Sequence, residues 1–497
     1  MVGSEIAYAV TEDDLLRRQG LLEGLPAPSR AAGVLRVLRS NASQMRTIVI
    51  DDDATGSQTV RDVALLFSFD LGELVRALEK PGSAAFVLTN SRSLDAREAA
   101  IRNREIGESL PVLERRVGGP VRVVSRSDST LRGHFVPELE ALDDARRRAT
   151  GRSYDAVIFA PGYFEAGRVT IEQTHWARVG GVYVPVGETE FARDADFSYR
   201  NSNLSAFIAE RLESAETWGS AGAESTEARI GTLDLRDIRV GGIGRAKAVL
   251  SSGWASVGFV VVDGTAYADY EVVACAASEL EREGRRFLYR TGPSFVTALL
   301  GQDPPDPLSQ VDVAGGEARG GLVVVGSHVQ LTNAQLAHAR EHHEFVVAEV
   351  DVPAVMNPET RDAHVAEIAQ CVVRGLAIGD VLLVTTRSVV REPANGLGVA
   401  RRVSDALVEI VGALVDDPPR WFVAKGGITS HDLAERALGI RSAVVVGQLE
   451  RGAISVLFPK DSLGATAGIP YVIFAGNVGT EESLTRVVKR LGGEVSA

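Results

Sequence analysis

The chain has 497 residues, 45% hydrophobic and 24% charged, the balance of a folded chain in water that is too long for one ordinary core, so two or three domains are expected. Its formal charge of −13 at pH 7 argues against nucleic-acid or anionic-membrane partners, whose binding rests on clustered Lys and Arg. The two cysteines, Cys275 and Cys371, lie far apart with no C-x-x-C spacing, which removes a disulfide framework or a zinc site and fits two inert thiols in a reducing compartment. With no apolar leader at the N-terminus and no apolar run near the roughly 18 to 20 residues of a bilayer span, the expectation is a cytoplasmic protein without a membrane partner.

Residues 1–46 read as a helical extension, with Thr11 and Asp14 spaced as a capping box ahead of Leu15 and Leu16 and a turn at Pro26 to Pro28. From Thr47 the pattern becomes strand, polar loop, helix. Thr47 to Ile50 is a β-branched run that ends in Asp51-Asp52-Asp53 and turns at Thr55-Gly56. Ala84 to Leu88 ends in Thr89-Asn90-Ser91-Arg92-Ser93, and Val121 to Val124 ends in the polar stretch Ser125 to His134, which carries Arg126, Asp128, Arg132 and Gly133. Ala156 to Phe159 leads through Ala160-Pro161-Gly162 to Gly167-Arg168. Strands that alternate with helices predict a mainly parallel sheet flanked by helices, with the polar loops along one edge.

That edge is where open α/β sheets bind ligands. Consecutive strand ends bring Asp52 and Asp53, Asn90 and Arg92, Arg126, Asp128 and Arg132, and then Arg168 toward one crevice. Guanidinium forks match carboxylates or phosphates, and acids suit sugar-like hydroxyls or a divalent metal, so the expected ligand is a small, anionic, hydroxylated molecule. Taken singly, an Asp at a strand end or the Ser127-Asp128-Ser129-Thr130 run reads equally as a helix cap, and Gly167-Arg168 as a surface turn. Three carboxylates in a row repel one another unless something compensates them.

Residues 168–196 loosen into loops around a short strand from Val182 to Val186, an expected covering insertion, and residues 214–226 read as a loop. Strands return at Val257 to Val262 and Phe287 to Tyr289. The segment 301–320, with Asp303-Pro304-Pro305-Asp306-Pro307, has the composition of a linker. These signals divide the chain into the extension 1–46, a first domain 47–300, the linker 301–320 and a second domain 321–497.

The second domain repeats the alternation with strands at Leu322 to Val325, Phe345 to Val350, Val381 to Thr385, Trp421 to Ala424 and Tyr471 to Phe474. Three of them end in glycine turns: Gly326-Ser327, Lys425-Gly426-Gly427-Ile428-Thr429 and Gly476-Asn477-Val478-Gly479. Glycine lets backbone N–H groups approach an anion at a helix start, so the three together suit a polyphosphate, although each alone is ordinary turn punctuation. None matches G-x-x-x-x-G-K-[ST] or G-x-G-x-x-G, so neither a P-loop nor a dinucleotide fingerprint applies. His134, His175, His328 and His431 show no metal-ligand spacing.

As an ordered set, Asp52-Asp53-Ala54-Thr55-Gly56, Ser127-Asp128-Ser129-Thr130 with Arg132-Gly133, Gly167-Arg168 with Thr170, Gly326-Ser327 with Thr332 and Gln335, Gly426-Gly427-Ile428-Thr429 and Gly476-Asn477-Val478-Gly479 resemble the four-carbon acid sugar kinase family. The resemblance runs from about Thr47 to the C-terminus. It implies a substrate-binding first domain, a nucleotide-binding second domain, and phosphorylation of threonate, erythronate or oxo-tetronate by ATP with Mg2+. It also implies nucleotide contacts from Ser327, Gly426, Gly427, Thr429 and Gly476, with Ile428 and Asn477 in the same motifs. Better-known members carry an acid where Ile428 stands and Lys-Ser where Phe474-Ala475 stand, and Lys425 is the expected replacement for the missing charge.

Within that reading Arg126 and Arg132 are assigned to the substrate carboxylate or the transferring phosphate, and Asp52 and Asp128 to substrate hydroxyls, with Asp128 also counted as catalytic. Thr55, Arg92, Gly133 and Arg168 complete the substrate set, and Asp53 is the base. The sequence names no metal ligand and leaves room for a homo-oligomer. Two other readings remain open here. Asp51-x-Asp53-x-Thr55 also fits the D-x-D-x-T motif of haloacid-dehalogenase-like phosphatases, in which Asp51 would be the nucleophile. A sugar-acid-binding protein that has lost catalysis would carry the same crevice.

Overall fold

The structure, a computed structural model, describes residues 16–17, 19–31, 33–36, 45–53, 56–213, 229–253, 257–304, 306–313, 319–327, 329–386, 396–451, 454–476 and 478–492. The capping box at Thr11 and Asp14, the loop at 214–226, Ala54, Thr55, His328 and Asn477 lie outside them. The chain forms two compact units that are not contiguous in sequence: residues 1–52, 80–82 and 91–303 make the first, and residues 53–79, 83–90 and 304–497 the second. The chain passes from one to the other between Asp52 and Asp53. Among the described residues no helix is long and apolar enough to cross a membrane.

The first unit is built on six parallel strands in the order Arg46–Asp51, Val121–Arg126, Phe287–Thr291, Ala156–Ala160, Gly258–Val262, Ile230–Leu233. The central ones are buried along their whole length, as parallel strands between helical layers require, and Ala156–Ala160 and Gly258–Val262 are continuous apolar runs. The helix Ala96–Val117 starts with the Asp95 carboxylate accepting the Glu98 N–H and stops at Gly118, whose φ of 72° permits the left-handed cap. It buries Ala99, Ile106, Leu110, Leu113 and Val117, a stripe at helical spacing. Against it lies the helix Phe135–Thr150. Gly107 is needed where the two cross, since a Cβ there would stand 2.7 Å from the Cβ of Ala145.

Two features differ from the sequence reading. The described part of the N-terminal extension is helical at residues 16–17 and 33–36 and turn or irregular backbone between them, with Leu16, Leu22 and Leu35 buried and Ala31 N–H donating to Glu271 Oε2 at 2.6 Å. Packing onto the first unit overrides the helical pattern. Second, the expected covering segment is a separate antiparallel sheet of Arg168–Ile171, Thr174–Val179 and Val182–Pro185, followed by the short helical turn Glu190–Arg193.

The second unit has the strand order Val346–Val350, Val381–Thr385, Leu322–Val325, Phe422–Lys425, Tyr471–Phe474, Ile454–Asp461, Ser442–Glu450, Val63–Leu66, Ala84–Leu88. The first five run parallel, and the hairpin Ser442–Glu450 and Ile454–Asp461 enters antiparallel. One core beneath these strands gathers Val323, Val325, Leu382, Trp421, Val423, Val472 and Phe474 with Leu484 and Val488 of the C-terminal helix Ser483–Gly492. Cys275 is buried, Cys371 half-buried, and neither forms a disulfide.

Candidate active site

In the first unit the adjacent strands Arg46–Asp51 and Val121–Arg126 end side by side, with Asp51 and Arg126 as register partners. The Arg126 guanidinium donates to Asp51 Oδ1 at 2.9 Å and lies 3.6 Å from Asp52 Oδ1. Arg92 reaches the same carboxylate with Nη2 2.8 Å from Oδ1 and Nε 3.3 Å from Oδ2. Its other side faces Asp128, whose Oδ1 is 3.9 Å from Nη1. Arg132 Nε donates to Asp128 Oδ2 at 2.7 Å, and its Nη1 lies 3.4 Å from Asp194. Acids and guanidinium groups therefore alternate along the strand ends and compensate one another.

Burial shifts these groups in different directions. It pushes the Asp52 carboxyl up, against the pull of Arg92 and Arg126. Burial also acts upward on Asp128, but Arg92, Arg132 and the Thr130 hydroxyl outweigh it and hold that carboxyl well below the usual range. Arg168 is pulled down by burial and, among the described residues, makes no ion pair: its Nη1 donates to the Ala166 carbonyl and its Nε is buried without a partner.

The loop that carries Asp128 is fixed by its backbone and by a histidine. Leu131 adopts φ 68° and Gly133 φ 118°, both in the left-handed region. A Cβ on Gly133 would stand 3.3 Å from Asp52 Oδ2 and 3.4 Å from Arg290 Nη2. His175 is fully buried between the Ser129 carbonyl, 2.8 Å from Nε2, and the Thr170 hydroxyl, 2.9 Å from Nδ1. Burial pushes it down to about 4, so the ring is neutral at pH 7, with Nε2 donating and Nδ1 accepting. Beneath the acids, Arg290 donates to the Ser125 hydroxyl and to Glu138, and Glu138 in turn accepts from Ser91. Sequence reasoning missed Glu138, His175 as a clamp, and Arg290. The signal for Arg290 was a charged residue inside the otherwise mostly apolar strand Phe287–Thr291, which lies between Val121–Arg126 and Ala156–Ala160 although it follows both in the chain.

In the second unit the three glycine turns fall at the ends of three consecutive strands, Leu322–Val325, Phe422–Lys425 and Tyr471–Phe474. They touch. A Cβ on Gly326 would stand 2.2 Å from Thr429 Oγ1, one on Gly426 3.2 Å from the same atom and 3.4 Å from Ser327 Cβ, and one on Gly476 2.7 Å from Ser327 Oγ. Gly426 also has φ 123°, which only glycine adopts readily. Thr332 Oγ1 donates to the Gly476 carbonyl at 2.9 Å, and Gln335 Nε2 holds the Val478 and Thr480 carbonyls at 3.0 and 2.9 Å. Ile428 is exposed beside the turns. Asp53 belongs to this unit, and its carboxylate lies 3.8 Å from where a Gly427 Cβ would be.

Lys425 is not an outward-facing cation. It is fully buried, with Nζ donating to the Ala475 carbonyl at 2.7 Å and to Gly476 at 3.3 Å, and it lies 3.7 Å above the Phe474 ring. Lys425 and Phe474 are register partners on neighbouring strands. Burial pushes the ammonium down to about 7. Its place in the structure is as a clamp on the last glycine turn.

Comparison with known proteins gives a consistent result. Residues 47–299 match the family model described as a sugar-binding N-terminal domain, and residues 322–484 match the nucleotide-binding C-terminal domain. A D-threonate kinase of Bordetella bronchiseptica is 26% identical over 457 residues, spanning 89% of this chain and 96% of that protein. A D-erythronate kinase of Heliobacterium modesticaldum is 24% identical over 322 residues, or 63% of this chain and 64% of that protein. Among solved structures, a protein of Salmonella typhimurium LT2 superposes with TM-score 0.64 at 18% identity, over 89% of this chain and 98% of that one. A Haemophilus influenzae protein from a family of unknown function gives 0.62 at 16% identity, over 90% and 100%. These last two likenesses speak to the fold alone.

Proposed function

Since the chain belongs to the four-carbon acid sugar kinase family, we propose that it transfers the γ-phosphoryl group of Mg-ATP to a hydroxyl of D-threonate, D-erythronate or an oxo-tetronate of similar shape. The observation that carries the substrate class is the alternating cluster of Asp52, Arg92, Asp128 and Arg132 with Arg168 beside it, which offers acceptors for hydroxyls and a cation for a carboxylate. In the reaction the substrate hydroxyl oxygen bonds to the γ-phosphorus, the bond to the bridging oxygen of ADP breaks, and the hydroxyl proton passes to a carboxylate. Asp53, beside the glycine turn at Gly427, is assigned that proton. Asp52 and Asp128 orient hydroxyls. Arg168 and Arg132 receive the substrate carboxylate, and Arg126, buried against Asp51 and Asp52, holds the acids in place. The N–H groups around Ser327, Gly426, Gly427, Thr429 and Gly476 receive the triphosphate, where positioning and charge neutralisation do most of the catalytic work.

Among the described residues no group of three His, Cys, Asp or Glu could hold a metal; Mg2+ bound with the nucleotide would supply charge neutralisation at the phosphates. The phosphatase reading has no support in the comparisons, and it requires an accessible nucleophile at Asp51, which is fully buried and ion-paired to Arg126 at 2.9 Å. The test is ADP formation from Mg-ATP against the stereoisomers of threonate, erythronate and oxo-tetronate, with phosphate release from the phosphorylated acids followed in parallel. Acid-dependent ADP formation is expected. Phosphate release without it would return the assignment to a phosphatase.

A further inference from the structure

We propose that Phe191 is a positioning residue that sets the preference for an acid over a neutral sugar, by holding the guanidinium groups of Arg132 and Arg168 against one ring without neutralising them. The inference rests on the kinase reading above for the identity of the ligand. Phe191 lies on the helical turn Glu190–Arg193, outside every motif of the resemblance. The Arg132 guanidinium carbon lies 5.3 Å from its ring centroid and that of Arg168 lies 5.7 Å from it, both within the range of an attractive cation–π contact. One aromatic ring thus serves two cations that would otherwise repel each other.

What faces those cations explains the choice of ring. Arg132 shares its charge with Asp128 at 2.7 Å and Asp194 at 3.4 Å. Arg168, among the described residues, makes no ion pair: it donates to the Ala166 carbonyl, lies over the ring and feels the more distant Asp128 carboxylate, while burial and the nearby Arg178 and Arg132 disfavour its charge. A carboxylate at position 191 would also bring the two arginines together, but it would occupy the charge that an incoming acid needs. An aromatic face stabilises the cations through its quadrupole and leaves them electropositive. The turn that presents the ring is itself secured: the Thr189 hydroxyl donates to the Val186 carbonyl at 2.6 Å, and Asp194 accepts the N–H groups of Asp196 and Phe197 at 3.0 and 3.2 Å.

The test uses the whole enzyme with Phe191→Leu, which keeps apolar bulk, and Phe191→Tyr, which keeps the ring. For each, KM for the acid, KM for ATP, kcat and the inhibition constant of the matching neutral tetritol are measured. Phe191→Leu is expected to raise KM for the acid about tenfold, the factor for losing a cation–π contact or two, with KM for ATP and tetritol inhibition unchanged. Phe191→Tyr is expected to behave as the parent. An unchanged KM for the acid in Phe191→Leu overturns the proposal, and so does a parallel weakening of acid and tetritol, which marks a merely structural role. Calorimetric binding of the acid separates this inference from the kinase reading. A parent that binds acid without turnover, with binding lost in Phe191→Leu, sinks the kinase and keeps Phe191, whereas a parent that binds no acid sinks both.

Discussion

Gly133 and Lys425 are single residues at which each half of the proposed chemistry can be tested. Gly133 sits at φ 118°, and a Cβ there would stand 3.3 Å from Asp52 Oδ2 and 3.4 Å from Arg290 Nη2, so Gly133→Ala adds backbone strain and crowds the acid proposed to orient the substrate. Turnover is expected to fall about 100-fold, the scale for misplacing a reacting group by an ångström, with ATP affinity retained, as steady-state kinetics would show. Lys425→Met removes the donor to the Ala475 and Gly476 carbonyls; Thr332 still donates to Gly476, whereas the Ala475 carbonyl loses this donor. The expected outcome is a loss of about 1–3 kcal/mol in stability by denaturant unfolding, the cost of an orphaned buried acceptor, together with a raised KM for ATP and an unchanged KM for the acid. An unaltered KM for ATP would leave Lys425 without a part in the nucleotide turn. The sequence offered Lys425 as a cation for the nucleotide; that it faces inward follows from its pairing with Phe474 across two strands, a relation that sequence spacing does not contain.

Among the elements, the hairpin of Arg168–Ile171 and Thr174–Val179 is tied to the main sheet of the first unit through Asp263, at the end of the strand Gly258–Val262. Asp263 Oδ1 accepts the Gln173 N–H at 2.9 Å, while Oδ2 is buried without a partner, and burial raises the carboxyl to about 7. An unfolded Asp titrates near 3.9, so between about pH 4 and 7 the unfolded chain has lost a proton that the folded one keeps, and stability falls as pH rises through that window. Asp263→Asn keeps the acceptor for Gln173 and removes the titration. Its melting temperature is expected to match the parent near pH 4 and to exceed it by pH 7 by the equivalent of on the order of 2 kcal/mol. A constant difference across the range would rule this out. At this scale the alternation of strand and helix was readable because buried parallel strands are short apolar runs, and so were the glycine turns. The antiparallel pair Ser442–Glu450 and Ile454–Asp461 was not, since the sequence between the two strands carries no Asn-Gly or Asp-Gly signal and the strands are nearly as apolar as their parallel neighbours.

For the whole molecule, the sequence separated a sugar-acid half from a nucleotide half because each half repeats its own chemistry at successive strand ends: acids with arginines in one, glycines with hydroxyls in the other. It did not show that residues 53–79 and 83–90 join the second unit, because compactness is a matter of three-dimensional contact and the chain crosses between units inside its Asp-Asp-Asp run. Nor did it point to Phe191 or Arg290, whose parts depend on what surrounds them. The central claim is transfer to a hydroxyl of a four-carbon acid whose carboxylate is held by arginine. The measurement that tests it most directly is phosphorus NMR of the protein turning over Mg-ATP with D-threonate or D-erythronate. ADP and a stable phosphomonoester in equal amounts are predicted. A hydroxylamine-sensitive acyl phosphate, or inorganic phosphate without a phosphorylated acid, would contradict the account.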